Sequence, residues 1–307
     1  MPTPLPRTLI RLWLIAALLL HPWAAPKAQE ALPEEATTPT LNVTFDGRAQ
    51  QIQVEDPANP LVVIETTRGS LLFELFPSAA PATVSNFLGL ANGSKTWVDP
   101  LTGANTKRPF YNGLSFHRVV NGVLIQGGSP SADAHGYPGF FVPDEINAVS
   151  LGLDHMSVLD PSGEPNPVLG IRSQADFQED VLKPLYDSLG IRSSAQLEAR
   201  VSEVDKKLRA LSVQQLFELR GYRYRKDVIS RAPVRGVIAM ASTQPNQNGS
   251  QFFITLTDAE WLLGRHTVFG TLRAGEDVLD AIGRSPVDTE GRPQQEVRIV
   301  SIKALPR

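Results

Sequence analysis

Ser115-Phe-His-Arg-Val-Val-Asn-Gly-Val-Leu-Ile-Gln-Gly-Gly128 reads as two short strands folded back on each other at Asn121-Gly122, a pair suited to the positive backbone angles of a tight hairpin. Alternation along the first strand puts Phe116, Arg118 and Val120 on one face and His117 and Val119 on the other. An arginine between apolar residues on its own face is unusual, because arginine is rarely buried without a partner. A barrel-rim arginine paired with a carboxylate is the plain reading. The turn can bring Gln126 opposite Arg118, and Gly127-Gly128 lets another backbone approach closely. A second segment has equally particular residues: Asn246-Gln-Asn-Gly-Ser-Gln-Phe-Phe-Ile254, followed by Trp261-Leu-Leu-Gly-Arg-His266.

Outward from these stretches the text is mostly strand. Leu61 to Thr67 and Leu71 to Phe76 flank Arg68-Gly69-Ser70 as a hairpin. Pro81 opens a helix that runs to about Ala91, with Val84, Phe87, Leu88 and Ala91 on its apolar side and Gly93 as its stop. Gly236 to Ala241, Gln251 to Thr255 and His266 to Leu272 are strand-like, Val278 to Ile282 is a second helix, and Val297 to Ile302 is a closing strand. Many strands, two short helices and no βαβ rhythm predict a mainly β fold, a closed antiparallel barrel with two capping helices. Leu41 to Phe45 and Gln51 to Val54, around Asp46-Gly47, predict a further small hairpin.

From Leu151 to Ala232 the pattern changes to charged helical text, an α-helical insertion in the barrel. Ser193-x-x-Gln196 and Ser212-x-x-Gln215 both fit a capping box, and Leu197, Val201, Val204, Leu208 and Leu211 predict one apolar helical seam. The basic end of the segment (Arg220, Arg223, Arg225, Lys226, Arg231) is either a solvated helix face or an element that recruits unfolded or acidic chains. On the second reading, deleting Gln174 to Ser230 spares turnover of short peptides. The chain divides into a signal at 1–30, a tether and hairpin at 31–60, barrel text at 61–150, the insertion at 151–232 and barrel text at 233–307.

The signal reading rests on Arg7 and Arg11, the apolar run Leu12 to Leu20, and small residues at Ala24, Ala25 and Ala28. That run is shorter than the roughly 20 apolar residues of a membrane-spanning helix, so an exported chain, periplasmic or secreted, is expected, with an uncleaved N-terminal anchor as the alternative. No membrane span is expected once the signal is removed. The 307-residue chain has no cysteine, which rules out disulfides, a thiol nucleophile and iron–sulfur clusters. A net charge of −3 argues against nucleic acid as a partner. His117, His135, His155 and His266 lack metal-ligand spacing, so neither a metal nor any other cofactor is expected. His117 reads as a structural hydrogen-bonder and Asn248-Gly-Ser250 as loop geometry. No nucleophile–base pair suggests a hydrolase.

Together, FHRVVNGVLIQGG and NGSQFFI, with Trp261, Leu262, Gly264, His266, Val268, Phe269 and Gly270 in register behind them, resemble the signatures of the cyclophilin family of peptidyl-prolyl cis/trans isomerases. ELFPSAAPATVSNFLGL is similar to that family's first helix and the strand before it. The resemblance spans about Leu61 to Asn147 and Val234 to the C-terminus and leaves out the insertion. It implies an active groove on the barrel wall. Arg118 takes the catalytic position, and Gln126 and Gln251 take those that hold the substrate backbone and orient the arginine. Leu124, Phe253, Leu262 and His266 line the proline pocket, with Phe116 in the same substrate-binding set. Ala241 matches a backbone-contact position, and Ser242 and Thr243 stand where the family usually has Asn and Ala. Trp261 matches the groove tryptophan associated with cyclosporin. Val123 replaces the family's pocket-floor phenylalanine, which implies weaker binding or a shifted preference. The implied partners are proline-containing unfolded or partly folded polypeptides. A non-catalytic peptide-binding chaperone or scaffold that keeps the groove is the alternative function, and Val123 is the residue that favours it.

Such a site needs no nucleophile. Rotation about X–Pro is opposed by about 18–20 kcal/mol because the amide loses resonance as it twists. At mid-rotation the proline nitrogen gains a lone pair, to which a guanidinium can donate while gaining little from the planar ground state. Arginine suits this better than lysine, because one arm of its fork can stay held by a glutamine.

Overall fold

The computed structural model describes residues 38–131 and 136–306; the signal read over 1–30, and His135, lie outside the described residues. Strands β1 (Thr40–Phe45) and β2 (Arg48–Gln53) form a separate hairpin, with Asp46 at φ 49° and Gly47 at φ 69° in its two-residue turn. Next come β3 (Leu61–Thr66), β4 (Gly69–Leu75), a two-strand ladder of β5 (Trp97–Val98) and β6 (Asn105–Thr106), then β7 (Arg118–Val120), β8 (Leu124–Gly127), β9 (Val237–Met240), β10 (Phe252–Thr255), β11 (Val268–Ala274) and β12 (Ile299–Ala304). Eight of them form one antiparallel sheet in the order β12-β3-β4-β11-β9-β10-β8-β7.

The sheet curls but stays open, which corrects the expected closed barrel. Strand β7 has three residues, and its Val119 N–H bonds Gly291 O at 2.7 Å instead of β12. The two edges are linked by the irregular stretch ahead of β7: Gly113 N–H bonds Ile299 O, and Phe116 N–H bonds Val297 O, both at 2.8 Å.

Alternation sorts the sheet's faces. Val62, Ile64, Leu71, Phe73, Ile125, Ile238, Phe252 and Ile254 point into the curl, where they meet Phe87 of helix α1 (Pro81–Ala91) and Leu279 and Ile282 of helix α7 (Glu276–Gly283). Phe87 stands 5.6 Å from Phe252 and 5.1 Å from Phe269 between ring centroids. The β1–β2 hairpin covers the opposite face, packing Phe45 and Ile52 on Leu61 and Leu72. Ala80 offers α1 no side-chain cap, so a distant carboxylate serves: Glu145 accepts from Ala82 N–H at 3.0 Å and Thr83 N–H at 2.8 Å.

Between β8 and β9 lie α2 (Gln174–Phe177), a π turn (Gln178–Leu182), α3 (Lys183–Ser188), α4 (Ser194–Ala199), α5 (Val201–Ala210) and α6 (Val213–Leu219). The π turn falls just before Pro184, whose missing N–H and bulky ring disrupt regular α bonding. The expected single seam is broken. Arg200 leaves helical geometry at φ −126° and donates to Leu189 O at 2.8 Å, so α4 and α5 are separate helices. Val204 is buried with Leu185 and Ile191, whereas Val201 is 55% exposed. Ser212 and Gln215 complete their capping box; Gln196 instead accepts from Arg192 N–H, and only the Ser193 half of the other box forms. Among the described residues, no helix is long and apolar enough to cross a membrane.

Candidate active site

Strands β7 and β8 pair Arg118 with Gln126, Val119 with Ile125 and Val120 with Leu124 around Asn121-Gly122, with Gly122 at φ 71°. Asn121 Nδ2 donates to Gly283 O at 2.8 Å, which ties the turn to the end of α7. Arg118 Nη1 faces Gln126 Oε1 at 3.4 Å, Gln126 Nε2 donates to Gln251 Oε1 at 3.0 Å, and Gln251 Nε2 donates to Gly136 O at 3.1 Å. These amides form a chain that orients the guanidinium from one side. Among the described residues Arg118 has no carboxylate partner, so the plain reading of a paired rim arginine does not hold.

The next strands extend the site. Phe253 pairs with Gln126 across β10–β8 and with Ala239 across β10–β9, and an outer apolar strip of Leu124, Val237, Ala239, Phe253 and Val268 results. A cavity of about 530 Å³ opens beside it. Arg118, Leu124, Gln126, Ala241, Ser242, Thr243, Gln251, Phe253, Leu262 and His266 line it, ten of the residues the sequence singles out.

Three others lie elsewhere. Phe116 is 1% exposed inside the curl, 6.0 Å from Phe252 and against Gly127, where a Cβ would come within 3.1 Å of its ring. Alternation was counted through Ser115 to Val120, but the strand begins only at Arg118, and the irregular backbone before it turns Phe116 inward. Val123 packs on the apolar strip and is not among the residues that line the cavity. Trp261 sits beside Gly170, outside the lining.

Sequence reading missed the far end of the cavity. Tyr137 and Phe141 stack there with centroids 4.8 Å apart and planes at 11°, each nearly half exposed, with Gln247 and Gly249 nearby. The only signal for them was a Gly/Pro-flanked aromatic cluster, Gly136-Tyr-Pro-Gly-Phe-Phe141.

His266 stands edge-on to Phe253, centroids 5.2 Å apart and planes at 90°. Burial, then the charge of Arg265, lowers its pKa to about 4 against the accepting carbonyl of Met240, 3.1 Å from Nδ1. The ring is therefore neutral near pH 7, with Nδ1 protonated and Nε2 an acceptor. His117 lies buried beside Arg118: burial, then the Arg118 charge, holds its pKa low against a weak backbone interaction with Ser115 that falls short of standard hydrogen-bond geometry.

The arginines at the end of the helical segment are engaged inward. Arg220 pairs with Asp180 at 2.9 Å, Arg225 with Glu145 at 3.0 Å, and Arg231 with Glu55 at 2.6 Å while lying over the Phe76 ring. Three of the five cations at this end are thus paired with carboxylates, whereas Arg223 and Lys226 remain exposed.

The curled antiparallel sheet thus carries Arg118, faced by Gln126 and through it by Gln251, beside an apolar hollow. The family described as "Cyclophilin type peptidyl-prolyl cis-trans isomerase/CLD" matches residues 61–304, and the chain belongs to it. Among its relatives, "Peptidyl-prolyl cis-trans isomerase B" of Streptomyces anulatus is 29% identical over 242 residues, 78% of this chain and 93% of that one. "Peptidyl-prolyl cis-trans isomerase A" of Mycobacterium tuberculosis is 28% identical over 247 residues, 80% of this chain and 92% of the relative. A crystal structure of a cyclophilin type peptidyl-prolyl cis-trans isomerase from Cryptosporidium parvum aligns with a TM-score of 0.47 at 23% identity, over 81% of this chain and 99% of that one.

Proposed function

We propose that the chain catalyses cis/trans rotation of X–Pro bonds in exported polypeptides, with Arg118 as the catalytic residue. One observation carries this reading: the Arg118 guanidinium, free of any carboxylate among the described residues, shares a cavity with Phe253 and Leu262 and is held by Gln126. The apolar wall of Leu124, Phe253 and Leu262 grips the proline ring, and the preceding carbonyl swings on the open side. As the imide nitrogen becomes pyramidal, Arg118 donates to it, an interaction made only in the transition state and therefore one that lowers the barrier. Gln126 keeps the fork aimed, its Oε1 lying 3.4 Å from Arg118 Nη1. Gln251, which lines the cavity with Gln126, bonds the substrate backbone in this reading. Neutral His266 lines the same hollow without adding charge to it.

A protease-coupled assay on a short Pro-containing peptide tests the activity. Turnover supports the enzyme, whereas peptide binding without acceleration would mean a non-catalytic chaperone that keeps the groove. The export part rests on Arg7, Arg11 and the apolar run Leu12 to Leu20. N-terminal sequencing of protein recovered outside the cytoplasm should find a start near Ala28, and a retained Met1 would contradict cleavage. Cyclosporin binding rests on Trp261 alone. Titration followed by tryptophan fluorescence tests it, and an unchanged signal would contradict it.

A further inference from the structure

The loop that carries Leu262 and His266 belongs to two cores at once. Leu262 packs on the strip of Leu124 and Phe253, and His266 stands against Phe253; both line the cavity. The three residues between them turn away, into the core of the helical segment. Leu263, 8% exposed, packs in the cluster that contains Leu153, Val168 and Phe217. Gly264 sits at φ +73°, and a Cβ there would come within 2.3 Å of Leu153 Cδ1. Its carbonyl accepts a hydrogen bond from Tyr224 Oη at 3.0 Å. The Arg265 guanidinium lies 5.8 Å from the centre of the Phe217 ring.

Tyr224 is itself well fixed. Its ring stacks on Tyr222 at 6.3 Å and 12°, and Tyr222 leans on Phe217 at 5.6 Å. Burial raises the pKa of its hydroxyl, which therefore remains a donor. The loop's own backbone bonds are short-range: Leu262 N–H to Ala259 O, Leu263 N–H to Glu260 O, and Arg265 N–H to Leu262 O. The bond from Tyr224 is thus a long-range polar tie on the stretch between the two cavity residues.

From this we infer that Tyr224 is a positioning residue for the isomerase reaction, and that the helical segment sets the cavity wall instead of acting as a separate recruiting module. The inference rests on the isomerase reading of the cavity. Gly264 in a left-handed conformation gives the loop no stiffness of its own; the segment supplies it from behind. A wall that drifts by a fraction of an ångström grips the proline ring less well in ground and transition state alike, so the loss falls on KM more than on kcat.

The test uses the full chain, wild type and Tyr224→Phe, with a short Pro-containing peptide. Loss of one hydrogen bond should raise KM by about 3- to 10-fold and leave kcat within about two-fold, while the NMR methyl signals of Leu262 shift. Leu185→Ala, which opens a cavity in the separate cluster of Leu185, Ile191 and Val204, serves as control; it should lower Tm and leave KM as in wild type. An unchanged KM and unmoved Leu262 methyls in Tyr224→Phe would overturn the inference, and so would an equal rise of KM in both variants. A wild-type chain without turnover would sink the isomerase reading instead, and the Leu262 methyls would still report whether Tyr224 sets the wall.

Discussion

His266 gives the cavity a pH dependence that can be worked out from one residue. An unfolded histidine titrates near 6.5, and in the fold burial and Arg265 bring this down to about 4. Between those values the unfolded chain takes up a proton that the folded one refuses. The stabilisation is therefore complete above about pH 6.5 and is lost as pH falls toward 4, roughly 3 kcal/mol in all. Denaturant midpoints measured from pH 7 to 4.5 should fall steeply for wild type and less steeply for His266→Phe; parallel curves would contradict this origin. Val123 makes a second prediction. It packs on the strip that contains Leu124 and Phe253, and a larger ring there would add apolar surface to that wall. Val123→Phe should lower KM by about 2- to 5-fold through the added buried area, and an unchanged KM would mean the wall is set elsewhere. At this scale the sequence was readable where hairpin register fixed the answer, as for Arg118 and Gln126 around Asn121-Gly122. It misled at Phe116, because alternation holds only inside a strand. Tyr137 and Phe141 were not readable, because a loop closed by tertiary contacts carries no periodicity.

Glu145 joins three elements that never touch in sequence. Its carboxylate caps α1 through Ala82 and Thr83, pairs with Arg225 at the exit of the helical segment, and is almost wholly buried. Its own N–H bonds Thr267 Oγ1 at 3.0 Å, just ahead of β11. Glu145→Ala would leave two helix N–H groups and one arginine arm without their partner, a cost of about 3 kcal/mol, measurable as a lower urea midpoint at unchanged m-value; a shift below about 0.5 kcal/mol would mean water replaces the cap. The start of α1 was legible from Pro81, but its cap was not, because the capping group lies far along the chain. The five-residue seam failed for a related reason. Spacing alone could not show that Arg200 would find Leu189 O and end a helix there. The Asp46-Gly47 turn could be read because its chemistry is local, although β2 starts at Arg48, three residues before the expected Gln51.

Across the whole molecule, the barrel sheet and the helical segment share the loop from Glu260 to His266, so removing the segment should not be neutral. Replacing residues 174–219 by a short linker is expected to abolish turnover of short peptides along with any help to refolding; retained short-peptide turnover would show that the wall stands without the segment. The sequence-based expectation, for deletion of Gln174 to Ser230, was that short-peptide turnover is spared and only refolding assistance falls, because an insertion is easy to see in a sequence and the core it builds against Leu263 is not. The openness of the sheet was equally hidden, since strand text does not reveal whether β7 and β12 meet along a ladder or through a few bonds at Gly113 and Phe116. What the architecture achieves is one exposed guanidinium held beside an apolar hollow. Exchange spectroscopy on a Pro-containing tetrapeptide, comparing wild type with Arg118→Ala, examines that most directly. The cis/trans exchange rate should fall by about 100-fold or more in the variant, as for loss of a transition-state donor, while peptide affinity stays within a few-fold. Equal exchange rates at equal affinity would contradict a catalytic role for Arg118.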